Sequence, residues 1–234
     1  MRLDQLLVTY NHTQTKSQAN RLIKQGLVFV NGVKVEKPAK NCTLQDEITI
    51  SDEIYVSRGA YKLRKAIEEF NITVTGKVCA DIGASTGGFT QILLQHNAEK
   101  VFAIDVGTDQ LHPSLIVNPK VVNLPQTHIL KIKNIPEKID LVVVDLSFIS
   151  LRKVLPHMLE LFGSNTEFVL LFKPQFEVGR EINKKGVIKP SSAIKSRDDF
   201  LLYLSETFSL NAQHILSPIS GQCGNIEFLV HFKR

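Results

Sequence analysis

The 234-residue sequence predicts an α/β protein with an open, mainly parallel sheet, preceded by a small α+β domain. Short apolar segments alternate with helical segments from about residue 61 onward, as in βαβ units. A glycine-rich turn, 83–88, follows the first apolar segment. Residues 1–45 carry seven Lys/Arg against two Asp/Glu, whereas the remainder carries 21 of each sign. We therefore expect domains at 1–55 and 61–234, joined by a linker at 56–60.

The first domain reads as two helices followed by short strands. An amphipathic helix begins in segment 2–7, and a second runs from Ser17 to Gly26, with Ser or Thr capping its start and glycine closing its end. Segments 27–30 and 33–35 flank Asn31-Gly32, which predicts a hairpin. The expected buried face of the second helix is Ala19, Leu22 and Ile23.

The basic charge of this domain predicts a phosphate-rich partner, although a merely solvated basic surface remains an alternative. Arg21 and Lys24 lie three residues apart and share a helix face. Segments 2–4, 17–26 and 28–35 resemble the alpha-L RNA-binding domain. The resemblance implies an RNA partner, and the expected RNA-binding residues of the whole chain are Arg2, Arg21, Lys24, Lys34, Arg58 and Arg180.

The second domain is predicted element by element from its hydrophobic pattern. The last two strands can form a hairpin, so one antiparallel strand is expected. The predicted helices are 62–70, 89–95, 151–162 and 190–207, and the predicted strands are 78–81, 101–105, 139–145, 168–172, 211–216 and 226–232.

The glycine-rich turn and Asp105 predict a nucleotide-like ligand. Glycines let the backbone approach a ligand closely, and an acid at the end of the second strand can accept ribose hydroxyl hydrogen bonds. The spacing is not the G-x-G-x-x-G of a dinucleotide fold, which stays the alternative. The combination resembles the S-adenosylmethionine site of Rossmann-like class I methyltransferases. The expected cofactor-binding residues are Asp81, Gly83, Ser85, Gly87, Gly88, Phe89 and Asp105.

Four charged residues lie at the edges of predicted elements, where one ligand crevice would form: Lys62, Asp145, Lys173 and Glu227. Taken singly, Asp145 could cap the next helix, Lys62 could be a surface residue and Glu227 the polar face of an edge strand. Asp145 is followed by Leu-Ser-Phe, not by the Pro-Pro-aromatic segment of amino-group methyltransferases. No cysteine ends a strand beside the expected cofactor. An oxygen acceptor is therefore favoured.

The whole chain resembles the hemolysin A/TlyA family, an alpha-L domain fused to an FtsJ-like ribose methyltransferase. The carrying segments are 57–63, 81–90, 105–107, 144–150, 173–180 and 224–228. The resemblance implies S-adenosylmethionine-dependent 2′-O-methylation of cytidine in ribosomal RNA or ribosomal subunits. The resemblance also implies that the four charged residues named above form the catalytic tetrad: Lys62, Asp145, Lys173 and Glu227. Two departures stand out: Gly59-Ala60 replaces the usual Gly-Gly, and segment 124–128 replaces the usual Glu-Arg-Thr-Asn.

In the expected mechanism Lys173 accepts the hydroxyl proton, and partial burial beside a second cation favours its neutral amine. Asp145 orients that lysine, Lys62 holds the ribose-phosphate, and Glu227 positions Lys62 or the hydroxyl. The loop 173–190 carries five Lys/Arg against two acids, which suggests a phosphate-facing flap or, more simply, a solvated loop.

Other classes are less favoured by the sequence. Three widely spaced cysteines predict neither a zinc site nor disulfides, and suit a reducing cytoplasm. No apolar run reaches the roughly 18 residues of a membrane span, so no membrane partner is expected. A membrane-active hemolysin and an RNA-binding assembly factor without catalysis remain the alternatives.

Overall fold

The computed structural model describes residues 1–24, 26–50, 55–178, 186–221 and 223–234. The chain forms two compact units, Met1–Tyr55 and Val56–Arg234. A helix already begins at Gly59, within the segment expected to be a linker. The limits 1–55, 56–60 and 61–234 stay a prediction.

The first unit has the two helices and the hairpin that the sequence predicts. The elements are α1 (Leu3–Thr9), α2 (Lys16–Lys24), β1 (Val28–Val30), β2 (Val33–Val35) and β3 (Ile48–Ile50). The three strands form an antiparallel sheet in the order β2-β1-β3. The predicted apolar face of α2 is completely buried.

The start of α2 differs from the expected one, because Ser17 lies inside the helix. The side chain of Thr15 accepts a hydrogen bond from the Gln18 amide at 3.2 Å, since a cap must precede the first helical residue. The expected end is confirmed: Gly26 has φ +70°. The hairpin turn is also confirmed, with φ of +53° at Asn31 and +74° at Gly32.

The second unit is built on a seven-stranded sheet. Its helices are α3 (Gly59–Glu69), α4 (Gly88–Gln95), α5 (Pro113–Ile116), α6 (Leu151–Phe162) and α7 (Pro190–Phe208). Its strands are β4 (Val78–Ile82), β5 (Lys100–Ile104), β6 (Val121–Leu124), β7 (Leu141–Val144), β8 (Glu167–Phe172), β9 (Gln213–Leu216) and β10 (Phe228–Lys233). The strand order is β6-β5-β4-β7-β8-β10-β9. Strand β10 runs antiparallel to both of its neighbours, and the other pairs are parallel, so the predicted single antiparallel strand is confirmed.

Strand β6, like the short helix α5, is an element whose bounds the hydrophobic pattern does not give. Its four residues are all half-buried at the edge of the sheet. A short edge strand has neither a continuous apolar run nor a clear alternation, so its signal is weak.

Alternate strand residues face the two helical layers. Even-numbered strand residues such as Val142 and Phe168 pack in one core with α6 and α7. The other face is covered by α3 and α4, which pack on β10 and on β4 and β5. Asp81 of β4 is odd-numbered, so its side chain points to the opposite face, toward α4. There Oγ1 of Thr90 donates a hydrogen bond to its carboxylate.

Candidate active site

The sheet topology brings charged residues to its carboxyl edge. Asp145 follows the last residue of β7, and Lys173 follows the last residue of the neighbouring parallel strand β8. Strand β10 runs the other way and pairs Phe228 with Phe172, so Glu227, just before it, lies at the same edge. In open α/β sheets ligands bind beyond this edge.

Lys62 and Glu227 form the first ion pair of this edge. Nζ of Lys62 donates to Oε2 of Glu227 at 2.6 Å, and the two side chains are only 9% and 3% exposed. Helix α3 supplies the lysine across 165 residues of sequence. A Cβ added at Gly221 would lie 2.6 Å from Oε1 of Glu227, so the loop before β10 closely confines this carboxylate.

Lys173 and Asp145 form the second ion pair. Nζ of Lys173 lies 2.6 Å from Oδ1 of Asp145 and donates to Oγ of Ser147 at 2.8 Å. The ring of Phe176 lies 5.9 Å from the same ammonium group. All four residues predicted as the tetrad thus lie in two lysine–carboxylate pairs. Such pairs are charge-assisted and hold their side chains in one geometry.

Asp81 is a buried carboxylate with only one oxygen engaged. Oγ1 of Thr90 donates to Oδ2 at 2.7 Å, whereas Oδ1 has no hydrogen-bond partner among the described residues. Burial raises the pKa of Asp81 to about 7, against the opposing hydrogen bond of Thr90. A buried, half-satisfied carboxylate requires an explanation. The ammonium group of a bound amino-acid moiety would complete it, which fits the methionine end of S-adenosylmethionine.

The glycine-rich turn packs too closely for larger side chains. Gly83 and Gly87 have φ of +85° and +94°. A Cβ on Gly83 would lie 2.4 Å from the carbonyl oxygen of Asp145, so the turn directly abuts the second ion pair. A Cβ on Gly88 would lie 2.1 Å from Oγ of Ser57. These close approaches explain the glycines. Phe89, which the sequence also predicts to bind the cofactor, is buried, with only 3% of its surface exposed.

Asp105 fixes the turn from the neighbouring strand. Its Oδ2 accepts from the Ser85 amide at 2.8 Å, and its Oδ1 accepts from the Gly107 amide at 2.7 Å. Each carboxylate oxygen keeps a second lone pair, and the residue is half-buried. Asp105 can therefore still accept ribose hydroxyl groups, as predicted.

Segment 124–128, where the sequence departs from the resembling family, is tied to this region. The Thr127 amide donates to the Asp105 carbonyl at 2.8 Å, and Nε2 of Gln126 donates to Oγ1 of Thr108 at 2.9 Å. The departure thus lies beside the predicted ribose contact.

The predicted RNA-binding residues of the first unit lie at its surface. Arg21 and Lys24 are exposed on α2, and Lys34 forms an exposed ion pair with Glu36 at 3.1 Å. Arg2 also serves the fold: its guanidinium makes two hydrogen bonds to the buried Asp4. These bonds lower the pKa of Asp4.

In the second unit Arg58 is exposed and donates to the Ser220 carbonyl at 3.2 Å. It lies one helical turn before Lys62, at the start of α3. Arg180 and the rest of segment 179–185 of the expected flap lie outside the described residues.

Two polar residues near the second ion pair were not predicted to have roles: Ser147 and Glu177. Glu177 accepts hydrogen bonds from Oγ of Ser150 and from the Leu151 amide. Both residues belong to the segments that carry the family resemblance, 144–150 and 173–180. The one sequence signal that could have indicated Ser147 and Glu177 is their position shortly after Asp145 and Lys173 in the chain.

The described residues contain no cluster of three or more His, Cys, Asp or Glu placed to hold a metal ion. Cys42 and Cys79 are buried, and burial raises the pKa of the Cys79 thiol to about 12. Within the same ranges, no helix combines the length and the apolar character of a membrane span.

Comparison with known proteins gives matches over almost the whole chain. Residues 55–234 match the model of the FtsJ-like methyltransferase, and residues 1–48 match the S4 domain. Hemolysin A of Brachyspira hyodysenteriae is 40% identical over 99% of both chains. The 16S/23S rRNA (cytidine-2′-O)-methyltransferase TlyA of Mycobacterium tuberculosis is 39% identical over 98% of this chain and 88% of its own. A solved Streptococcus thermophilus structure, provisionally assigned as a hemolysin, is 35% identical with a TM-score of 0.75, covering 100% of this chain and 88% of that chain.

Proposed function

Because the chain belongs to the family of FtsJ-like methyltransferases that carry an N-terminal S4 domain, we propose that it methylates the 2′-hydroxyl of a cytidine in ribosomal RNA. The observation that carries this proposal is the pair of lysine–carboxylate contacts at the carboxyl edge, each 2.6 Å long. A ribose hydroxyl is a weak nucleophile, and it needs a proton acceptor and precise placement to react. The name of the M. tuberculosis relative supports the same nucleotide and RNA class.

S-adenosylmethionine is the proposed methyl donor, since its sulfonium activates the methyl group for transfer. Asp81 would hold the methionine ammonium through Oδ1, which accepts from none of the described residues. Asp105 would accept the ribose hydroxyls, and the glycine-rich turn would lie against the donor. Ser85 and Phe89 complete the proposed set at the start of this turn and in α4.

In the proposed reaction Lys173, in its neutral amine form, accepts the 2′-hydroxyl proton as the oxygen attacks. Asp145 orients Lys173 and stabilises the ammonium that forms when the proton arrives. Lys62 stabilises charge that develops on the oxygen. Glu227 holds Lys62 in place, because the loop before β10 confines its own carboxylate.

The first unit would bind the RNA substrate. Its exposed Arg21 and Lys24 share one face of α2, which suits contacts to successive phosphates. Lys34 and Arg58 would add contacts, and Arg2 would do so only with the donors that Asp4 leaves available. Action on ribosomal RNA would place the protein in the cytoplasm with the ribosomal subunits.

The test is a map of ribose methylation on ribosomal RNA from cells with and without the gene. We expect at least one methylated cytidine ribose to disappear on deletion and to return with the wild-type gene. Restoration by Lys173→Ala to the same level would refute the proposed base. An unchanged map would refute the substrate.

The name of the B. hyodysenteriae relative raises membrane lysis as a second candidate. Dye release from lipid vesicles by the purified protein tests it, with Lys173→Ala as a matched variant. Release that is equal for both proteins, together with no methyl transfer, would favour lysis. A non-catalytic assembly factor is tested by calorimetry with S-adenosylmethionine, to which such a protein would show no binding.

A further inference from the structure

Glu177 fastens the loop after β8 to the first turn of α6. Its Oε1 accepts from the Leu151 amide at 2.7 Å, and its Oε2 accepts from Oγ of Ser150 at 2.5 Å. Oγ of Ser150 in turn accepts from the Arg152 amide at 3.2 Å. The carboxylate thus satisfies donors at the start of a helix to which it does not belong.

The two loops joined by Glu177 carry the proposed base and its partner. One loop, 145–150, begins with Asp145, and the other, 173–177, begins with Lys173. They are connected at their beginnings by the 2.6 Å ion pair. Midway, the rings of Phe148 and Phe176 lie 5.2 Å apart. At their far ends the connection is Glu177.

The first loop needs such an anchor because its backbone is strained. Phe148 has φ +64°, a region that non-glycine residues hold only where their surroundings fix them. Its side chain is 91% exposed, so burial of the ring cannot supply the restraint. The hydrogen bonds of Glu177 fall two and three residues later, at Ser150 and Leu151.

We propose that Glu177 is a positioning residue for methyl transfer: by holding Ser150 and Leu151 it keeps the Asp145 carboxylate at Lys173. The inference rests on the proposed function, since that function gives Lys173 its role. Glu177 does not touch the reacting atoms. It acts through the geometry of loop 145–150, where a displacement of about 1 Å can cost about a hundredfold in rate.

The chain offers a conservative variant that separates this role from plain stability. Glu177→Gln keeps an acceptor for the Leu151 amide and gains a donor that can reach Oγ of Ser150. Burial raises the pKa of Glu177 above its usual value, so an uncharged group suits the site. Glu177→Ala removes both contacts.

The experiment measures kcat, the KM for ribosomal RNA, the Kd for S-adenosylmethionine and the thermal midpoint of the full chain. For Glu177→Ala we expect kcat to fall about 10- to 100-fold, with KM and Kd within about twofold. Glu177→Gln should restore kcat to within about threefold of the wild type. Ser150→Ala removes the hydroxyl contact to Glu177 and also the cap on the Arg152 amide, and it should lie between them.

Wild-type kcat in Glu177→Ala would overturn the proposal, as would a kcat loss that Glu177→Gln does not restore. If Glu177→Ala fails to fold, Ser150→Ala decides, with kcat measured well below the thermal midpoint of that variant, since the loss of the α6 cap lowers the midpoint. A severalfold lower kcat then supports positioning, and a wild-type kcat overturns it. Failure of the proposed function looks different. In that case the wild-type protein itself transfers no methyl group to ribosomal RNA.

Discussion

The two edges of the large sheet both hold lysine–carboxylate pairs, yet they differ in how fully their buried acids are satisfied. At the amino edge, Glu167 accepts from Lys77 at 2.6 Å and lies 2.8 Å from Nε2 of His231. Burial alone would raise the pKa of Glu167, but its hydrogen bonds outweigh burial and lower it to about 2. At the carboxyl edge, one oxygen of Asp81 has no partner in the part of the chain that the structure describes, and burial raises the pKa of Asp81 to about 7.

The difference separates stabilising chemistry from ligand-directed chemistry. A carboxylate that is completely paired in the folded protein adds to stability. A buried carboxylate left half-satisfied lowers stability until something binds to it, as functional sites often do. Ion-pair distance does not distinguish the two edges, since Lys62–Glu227, Lys173–Asp145 and Lys77–Glu167 all measure 2.6 Å.

The largest expected effect contrasts two lysines. Lys173→Ala should lower kcat about 10²- to 10⁴-fold, the usual contribution of a general base, while S-adenosylmethionine still binds. Lys77→Ala removes an equal charge from the amino edge and should retain kcat at temperatures where it is folded. Single-turnover methyl transfer and calorimetry measure both. Comparable kcat losses in the two variants would erase the contrast.

Glu167→Gln should cost about 3 kcal/mol in the free energy of unfolding at neutral pH, because it removes the ionised carboxylate that Lys77 and His231 hold in the folded protein. The pKa of Glu167 is lower in the folded protein than its usual 4.5. Wild-type stability from this group is therefore present above about pH 4.5 and lost as pH falls toward 2. In Glu167→Gln, this fall in the free energy of unfolding between about pH 4.5 and 2 should be absent. Urea unfolding at several pH values measures it, and an unaltered pH dependence would contradict the role.

Asp81→Asn should weaken S-adenosylmethionine binding about 10- to 100-fold, the usual loss for a hydrogen bond to a charged group. In the ligand-free protein, the raised pKa of Asp81 makes stability fall as pH rises from about 4 to about 7. The asparagine should abolish this fall and raise the thermal midpoint at pH 7.5. Calorimetry and thermal melts measure the two effects. If Asp81→Asn bound S-adenosylmethionine as tightly as the wild type does, the assignment of Asp81 to the cofactor site would be contradicted.

The smallest expected effect tests the RNA face of α2. Arg21→Ala/Lys24→Ala should weaken RNA binding and reduce the slope of log affinity against log salt by about 1.5 to 2. Lys153→Ala/Lys195→Ala removes the same charge from exposed positions of α6 and α7 and should leave the slope unchanged. A titration at four salt concentrations distinguishes them. Equal slopes in both double variants would argue that only net charge matters.

Much of the fold follows from local signals in the sequence. Helix α6 begins at Leu151 and ends at Phe162, as predicted, because Ser150 caps it and Gly163 ends it. The turn at Asn31-Gly32 is equally local. Strand β6 escapes the pattern because a half-buried edge strand lacks alternation. Helix α2 starts one residue before Ser17, and Thr15 supplies the expected Ser or Thr cap.

The site was only partly predictable. Residue types at strand ends indicate which edge binds a ligand, but pairing across long separations depends on tertiary structure. That Lys62 meets Glu227, and Lys173 meets Asp145, requires the order of β7, β8 and β10. The hydrogen bonds of Ser147 and Glu177 depend on loop geometry, for which the sequence carries no periodic signal.

The identity of the methylated atom tests the central claim most directly. Purified protein, ribosomal subunits and methyl-labelled S-adenosylmethionine should give RNA whose label is recovered, after complete digestion, in 2′-O-methylcytidine. Lys173→Ala should give no label above background within the same time. Recovery of the label in a methylated base, or equal labelling by Lys173→Ala, would contradict the assignment of the carboxyl-edge ion pairs to ribose activation.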